Sequence, residues 1–237
     1  MMKHLISSDL DGGASSSPTR SWDKSESEKE EVDKTNIFGG SDAYDATIDN
    51  RGESDGTINC HEYVDLGLSV KWATCNIGAS RSEGYGYFFA WCEIHPKRKY
   101  SKKNSTAFGK NGYYEDISGD SSLDAATANW GGTWRLPRAG EIQELIDECT
   151  WEWTAKNGKK GYEVISKVNG KSIFLPAAGR RLGSSLDRAG SYGNYWSSTP
   201  RTPGTSYAYC LVFFDSGIVR RDYCYRYFGL RVRPVSE

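Results

Sequence analysis

Two Asn-Gly pairs, Asn157-Gly158 and Asn169-Gly170, separate three strand-like runs, "TWEWTA", "GYEVISKV" and "KSIFLPAAG". Asn-Gly between such runs is the strongest short hairpin signal, because both residues accept the left-handed backbone of a tight two-residue turn. The pattern predicts a three-stranded meander. Just before it lies "RAGEIQELIDEC", in which Ile142, Leu145, Ile146 and Cys149 recur at i, i+3, i+4 and i+7. That is a single apolar stripe, with Glu141, Glu144, Asp147 and Glu148 largely elsewhere on the wheel, and it predicts the main helix.

The remaining chain is punctuated by Gly and aromatics. "EYVDLGLSVKWATCNIG" reads as two short paired strands around Gly67, and "GYGYFFAWCEI" as another strand. "ANWGGTWRLP" reads as a rigid aromatic loop ending at Pro137, and "GNYWSST" and the closing segment supply further strands. One main helix among many short strands, over about 180 residues, is enough for a single α+β core.

Residues 1–57 differ in texture. "SSSPTRSWDKSESEKEEVDK" and "SDAYDATIDNRGESDG" hold no spaced apolar face, so burial cannot offset the entropy of ordering them. They read as a flexible polar leader ahead of a folded domain at 58–237. Asp42, Asp45, Asp49 and Asp55 do not match the alternate-position spacing of a calcium loop and read as solvated linker. The start of the sequence shows no apolar secretory region, and no run approaches the roughly 18 apolar residues of a membrane span. A formal net charge of −1 gives no general attraction to nucleic acid or membrane. Six cysteines in 237 residues are too few for a disulfide scaffold and read as mostly free, buried thiols.

Several blocks occur in one order: "YVDLGLSVKWATCNIGAS", "YFFAWCE", "NWGGTWRLP", "CTWEWTAKNGKKGYEVISKVNGKSIFLPAAGRR", "GSYGNYWSST" and "GLRVRPV". Together, over roughly residues 60–235, the chain resembles the Fibrobacter-type major paralogous domain of gut bacteria and their phages. The resemblance implies a C-type-lectin-like fold of the formylglycine-generating-enzyme subtype, with short mixed or antiparallel strands and one or two helices. It also implies kinship with the variable proteins of diversity-generating retroelements. The chain departs from the family at Cys92, where Gly is usual, and at Arg138, where Thr or Ser is frequent. The second departure removes the expected side-chain cap of the helix.

The closing segment fits the variable-protein expectation. Residues 201–231 contain no Lys, Glu, Gln, Met or Trp, whereas Arg continues to Arg233. Lys and Glu are disfavoured in strands, but that does not account for the loss of Trp or the persistence of Arg. No codon for the five absent types ends in a pyrimidine, and copying that randomises the adenines of AAC codons yields only codons ending in C. The segment therefore reads as a diversified face, the alternative being an ordinary domain with a β-rich C-terminus. Strand alternation sends Leu211 and Phe213 inward and Cys210, Val212 and Phe214 outward. Inward Val219 is flanked by outward Ile218 and Arg220. "RRDYCYRYF" reads as a turn or loop bearing Arg221, Asp222, Tyr223, Cys224, Tyr225 and Phe228. With Arg201, Tyr207, Asp215 and Leu230, these form the expected contact set. Tyr and Arg give large contact area at modest entropic cost. Arg226, Gly229, Arg233 and Pro234 read as scaffold.

Other chemistry is poorly supported by the residues. Cys210 and Cys224 could form the thiolate pair of a formylglycine-generating-type enzyme, but they sit within the restricted alphabet and the enzyme's surrounding motifs are not visible. Trp196-Ser197-Ser198 stands where calcium-dependent lectins carry Trp-Asn-Asp, without the carboxylate that calcium favours. Cys60, His61, Cys75, Cys92 and His95 lack zinc-finger spacing, and none of the three histidines sits beside a Ser or Cys arrangement that reads as a nucleophile and base. The expectation is a non-enzymatic protein without cofactor or metal. It would recognise a protein or cell-surface ligand from a cell or phage surface. An undiversified adhesin or glycan-binding module and a formylglycine-generating-type enzyme are the alternatives.

Overall fold

The structure, a computed structural model, describes residues 52–237. The reading of residues 1–51 as leader, with Asp42, Asp45 and Asp49, lies outside the described residues. Strands β1 (Gly56–Ile58), β2 (His61–Val64) and β3 (Lys71–Ala73) come first. Helices α1 (Ala125–Trp130) and α2 (Ala139–Glu148) follow a long irregular stretch. Next come β4 (Cys149–Lys156), β5 (Lys159–Ser166), β6 (Ser172–Pro176), β7 (Arg180–Leu182) and β8 (Ser185–Asp187). The chain ends with β9 (Tyr192–Pro200), β10 (Tyr207–Phe214), β11 (Val219–Tyr225) and β12 (Val235–Ser236). The class is α+β and mainly antiparallel β. The sheets run β1-β2-β3-β12, β11-β10-β9, β4-β5-β6 and β7-β8. No helix among the described residues is long and apolar enough to cross a membrane.

The expected meander forms. β4 pairs with β5 from Cys149↔Ser166 to Lys156↔Lys159, and β5 pairs with β6. The first turn takes positive φ at both Asn157 (47°) and Gly158 (75°), as a two-residue hairpin of this hand requires. The strands around Gly67 also pair, Tyr63 with Ala73 and Val64 with Trp72. "GYGYFFAWCEI" does not form a strand. It contributes only an isolated bridge, Phe89↔Leu230, and Phe89 and Trp91 are buried from a loop instead.

Pairing begins earlier than the composition suggests. β1 falls partly inside the expected leader. Asp55 is exposed, yet it is tied to the folded domain rather than free in a linker: its carboxylate accepts from the Asp65 amide at 2.7 Å and pairs with Lys171. α1 lies in "DAATANW" and is too short to show a periodic stripe. Asp124 caps it by accepting from the Ala126 and Thr127 amides at 2.8 and 3.2 Å.

α2 begins at the residue where no side-chain cap was expected. The Arg138 side chain makes no cap hydrogen bond. Thr199, from β9, supplies the acceptor instead: its Oγ1 takes the Ala139 amide at 3.0 Å. Glu141 folds back to accept the Arg138 amide at 2.7 Å. The cap is therefore tertiary, and it ties the helix start to the β9–β11 sheet.

That sheet divides the core. Trp91, Trp134 and Trp196 pack on one face with Ala208, Cys210 and Val212. Ile142, Leu145, Tyr162 and Tyr195 pack on the other with Leu211 and Phe213. Burying a side chain of this size contributes about 1.5–3 kcal/mol, against at most about 1 kcal/mol for a cross-strand pair, so the two covers fix the register of β10. Gly193 is required where it sits, because a Cβ there would lie 2.0 Å from the Phe213 ring.

The last strand closes the molecule by pairing Val235 with Trp72. Buried arginines bind the preceding segment in place. Arg233 donates to Asn76 Oδ1 at 2.9 Å and to the Ala73 and Phe174 carbonyls at 3.0 and 2.9 Å. Arg231 lies 3.3 Å over the Phe88 ring, and burial pushes its guanidinium down to about 9. Arg226 and Arg233 are thus buried structural cations.

Candidate functional site

β10 and β11 form a hairpin in which directly opposed residues share a face. Tyr207 opposes Tyr225, Tyr209 opposes Tyr223 and Leu211 opposes Arg221. α2 covers this face over Leu211 and Phe213 and stops at Ala139, whose carbonyl accepts from Arg221 Nη1 at 3.2 Å. Beyond that point the four tyrosines are not covered by the helix. Tyr223 is 44% exposed, and Tyr207, Tyr209 and Tyr225 are half-buried.

Tyr207, Tyr223 and Tyr225 form one connected ring surface, and Tyr209 joins it through Arg221. Tyr207 stacks on Tyr225 at 4.4 Å and meets Tyr223 edge-on at 5.3 Å. Tyr225 stacks on Tyr227 at 5.3 Å. Phe108 closes the far side, 4.9 Å from Tyr227. It is brought there by a loop whose Gly109 amide donates to the Thr205 carbonyl at 3.0 Å. The neighbouring Tyr225 phenol pushes the Tyr207 phenol up.

Cations sit on the rings. The Arg201 guanidinium lies 4.0 Å over Tyr223, Arg221 lies 5.4 Å over Tyr209, and Lys102 Nζ lies 5.5 Å over Phe108. Among the described residues none of these three cations has a carboxylate within ion-pair reach. An Arg stacked by its plane on an aromatic keeps its edge donors free for a forked acceptor. The face therefore combines flat apolar area, phenol hydroxyls and cations that have no carboxylate partner among the described residues.

Comparison of the chain with protein-family models, curated proteins and solved structures gives no match. The site accordingly rests on its own geometry.

The expected contact set splits four ways. Arg201, Tyr207, Arg221, Tyr223 and Tyr225 come together on the aromatic face. Asp215 and Ile218 are exposed at the far end of the hairpin, and Phe214 there is half-buried, 4.6 Å from Tyr192. Arg220 and Asp222 pair with each other at 3.0 Å on the opposite face. The remaining members are corrected by burial. Cys210 is 0% exposed, Val212 2%, Cys224 6%, Phe228 8% and Leu230 0%. Simple alternation assumes that one face of β10 meets solvent, whereas both faces meet core. The unbroken apolar run from Cys210 to Phe214 carried that information, since a strand covered on both sides reads as continuous rather than alternating. "RRDYCYRYF" is likewise not a loop: most of it is β11, ending at Tyr225.

Four contributors were missed. Tyr209 has the same strand parity as Tyr207 and could have been found from it. Tyr227 lies just past the strand end. Lys102 and Phe108 come from a loop about one hundred residues upstream, and no local pattern links them to the hairpin.

The cysteine pair is placed differently from the aromatics. Cys210 Sγ and Cys224 Sγ are 2.9 Å apart on the core side of the hairpin. Burial, followed by the Cys224 sulfur, pushes the Cys210 thiol well up, so the pair holds no standing Cys210 thiolate near neutral pH.

Proposed function

We propose that this chain is a non-enzymatic ligand-binding protein of C-type-lectin-like fold, whose β10–β11 face is a retroelement-diversified recognition surface. The observation that carries the reading is the convergence of Tyr207, Tyr209, Tyr223 and Tyr225 with Arg201 and Arg221, which have no carboxylate partner among the described residues, on a sheet face that α2 leaves uncovered. Tyr and Arg dominate interface hot spots, and a connected exposed aromatic patch is the usual mark of a binding surface. The restricted alphabet of residues 201–231 supports diversification, and the ordered sequence blocks support the family. Burial of Cys210 and Cys224 supports a role without catalysis at that pair. The ligand is a protein or cell-surface molecule, met from a cell or phage surface.

Sequencing the gene's neighbourhood tests the reading. It should reveal a near-copy of this 3′ end beside a reverse-transcriptase gene, differing mainly at adenines. The codons of Tyr207, Tyr209, Tyr223 and Tyr225 should be among the differing ones, and those of Leu211 and Phe213 should be identical. A locus with no such copy removes diversification from the proposal.

A further inference from the structure

All six cysteines are free thiols, and two of them face each other. Cys210 opposes Asp222 and Cys224 opposes Ala208, so the two sulfurs are diagonal neighbours on the same face of adjacent strands. No side chain separates them at 2.9 Å. The remaining polar contact of the pair is weak, from Cys224 Sγ to Asn194 Oδ1 at 3.6 Å. The other cysteines have unrelated surroundings. Cys75 Sγ donates to the Ala79 carbonyl at 3.2 Å, Cys60 is exposed, and Cys92 and Cys149 lie in opposite core clusters.

We propose that Cys210 and Cys224 are a paired dithiol that hydrogen peroxide converts to a disulfide linking β10 to β11. Cys224 is the entry point, being 6% exposed where Cys210 is 0%, and only a small oxidant reaches it. The Cys224 thiol loses its proton, and its sulfur attacks one peroxide oxygen. The O–O bond breaks, hydroxide leaves and takes up the released proton as water, and Cys224 becomes a sulfenic acid. Cys210 sulfur then attacks Cys224 sulfur. The S–O bond breaks, the departing hydroxide takes the Cys210 proton, and a second water leaves. Two thiols are oxidised by two electrons and one peroxide is reduced to two waters.

The cross-link would lie on the core side of the strands that bear the tyrosines, so it fastens the aromatic face from beneath without altering its surface. It holds whatever that face binds, and it does not depend on the locus being diversified.

Peptide mapping tests the link directly. The folded full-length chain is treated with equimolar hydrogen peroxide, denatured, alkylated with N-ethylmaleimide and digested with trypsin. Cleavage after Arg220 and Arg221 puts the two cysteines on separate peptides, residues 202–220 and 222–226. The expected result is a joined species lighter than the sum of the two reduced peptides by two hydrogen atoms and split by dithiothreitol. The other four cysteines should carry the alkyl group. In Cys224→Ser the joined species should vanish and Cys210 should become alkylated. Alkylation of both Cys210 and Cys224 in oxidised wild-type protein overturns the proposal, as does a link from either to another cysteine. If the serine variant fails to fold, the wild-type peptide map by itself separates these outcomes.

Discussion

The two halves of the β10–β11 hairpin share one restricted alphabet and meet different surroundings. From Cys210 to Phe213 the strand is covered by Trp-rich core on one side and by α2 on the other. At Tyr207 and Tyr209 one of those covers ends, and paired Tyr223 and Tyr225 widen the opening. The contrast shows that aromatic content does not identify a surface. Phe213 is a core residue and Tyr223 is a platform residue because α2 starts at Ala139.

The largest effect that checks this contrast is expected in the covered half. Phe213 packs against Tyr162 at 5.3 Å, Tyr195 at 5.9 Å and Trp151 at 6.1 Å. Phe213→Ala should cost about 3–5 kcal/mol by urea unfolding. A loss below about 1 kcal/mol would mean that this half is not jointly buried. The border itself should be weaker. Thr199→Val keeps the side-chain shape but deletes the acceptor for the Ala139 amide, and should cost about 1 kcal/mol in the same assay. An unchanged midpoint would show that α2 needs no cap from β9. The smallest effect belongs to the open half. Tyr223→Ala should change stability by no more than about 0.5 kcal/mol, since the ring is 44% exposed. A loss like that of Phe213→Ala would erase the distinction between the halves.

Local signals were legible where local physics decides. The Asn-Gly turns and the Ile142, Leu145 stripe gave the meander and α2 with few errors, because turn dihedrals and helical spacing act within a few residues. "GYGYFFAWCEI" misled because its apolar residues are buried without strand pairing: Phe89 and Trp91 sit in the core from a loop. Asp55 misled in the other direction. Its acidic, Gly-rich context looks solvated, while Lys171, distant in sequence, holds it. Within the site, Tyr207, Tyr223, Tyr225, Arg201 and Arg221 were legible from residue type, but Cys210, Val212, Cys224, Phe228 and Leu230 could not be separated from them. Residue type measures what a side chain offers to an interface, and it does not say what already covers it.

The sequence by itself determined the β4–β6 meander, the main helix and the unusual alphabet of residues 201–231, all of which follow from neighbours in the chain. Tertiary structure alone decided which residues of that alphabet face outward. It did so by starting α2 only at Ala139, by laying Trp91 and Trp196 under Cys210 and Val212, and by bringing Lys102 and Phe108 to Tyr225 and Tyr227. The physical reason is that burial depends on what packs over a strand, and the packing elements lie tens of residues away in the sequence.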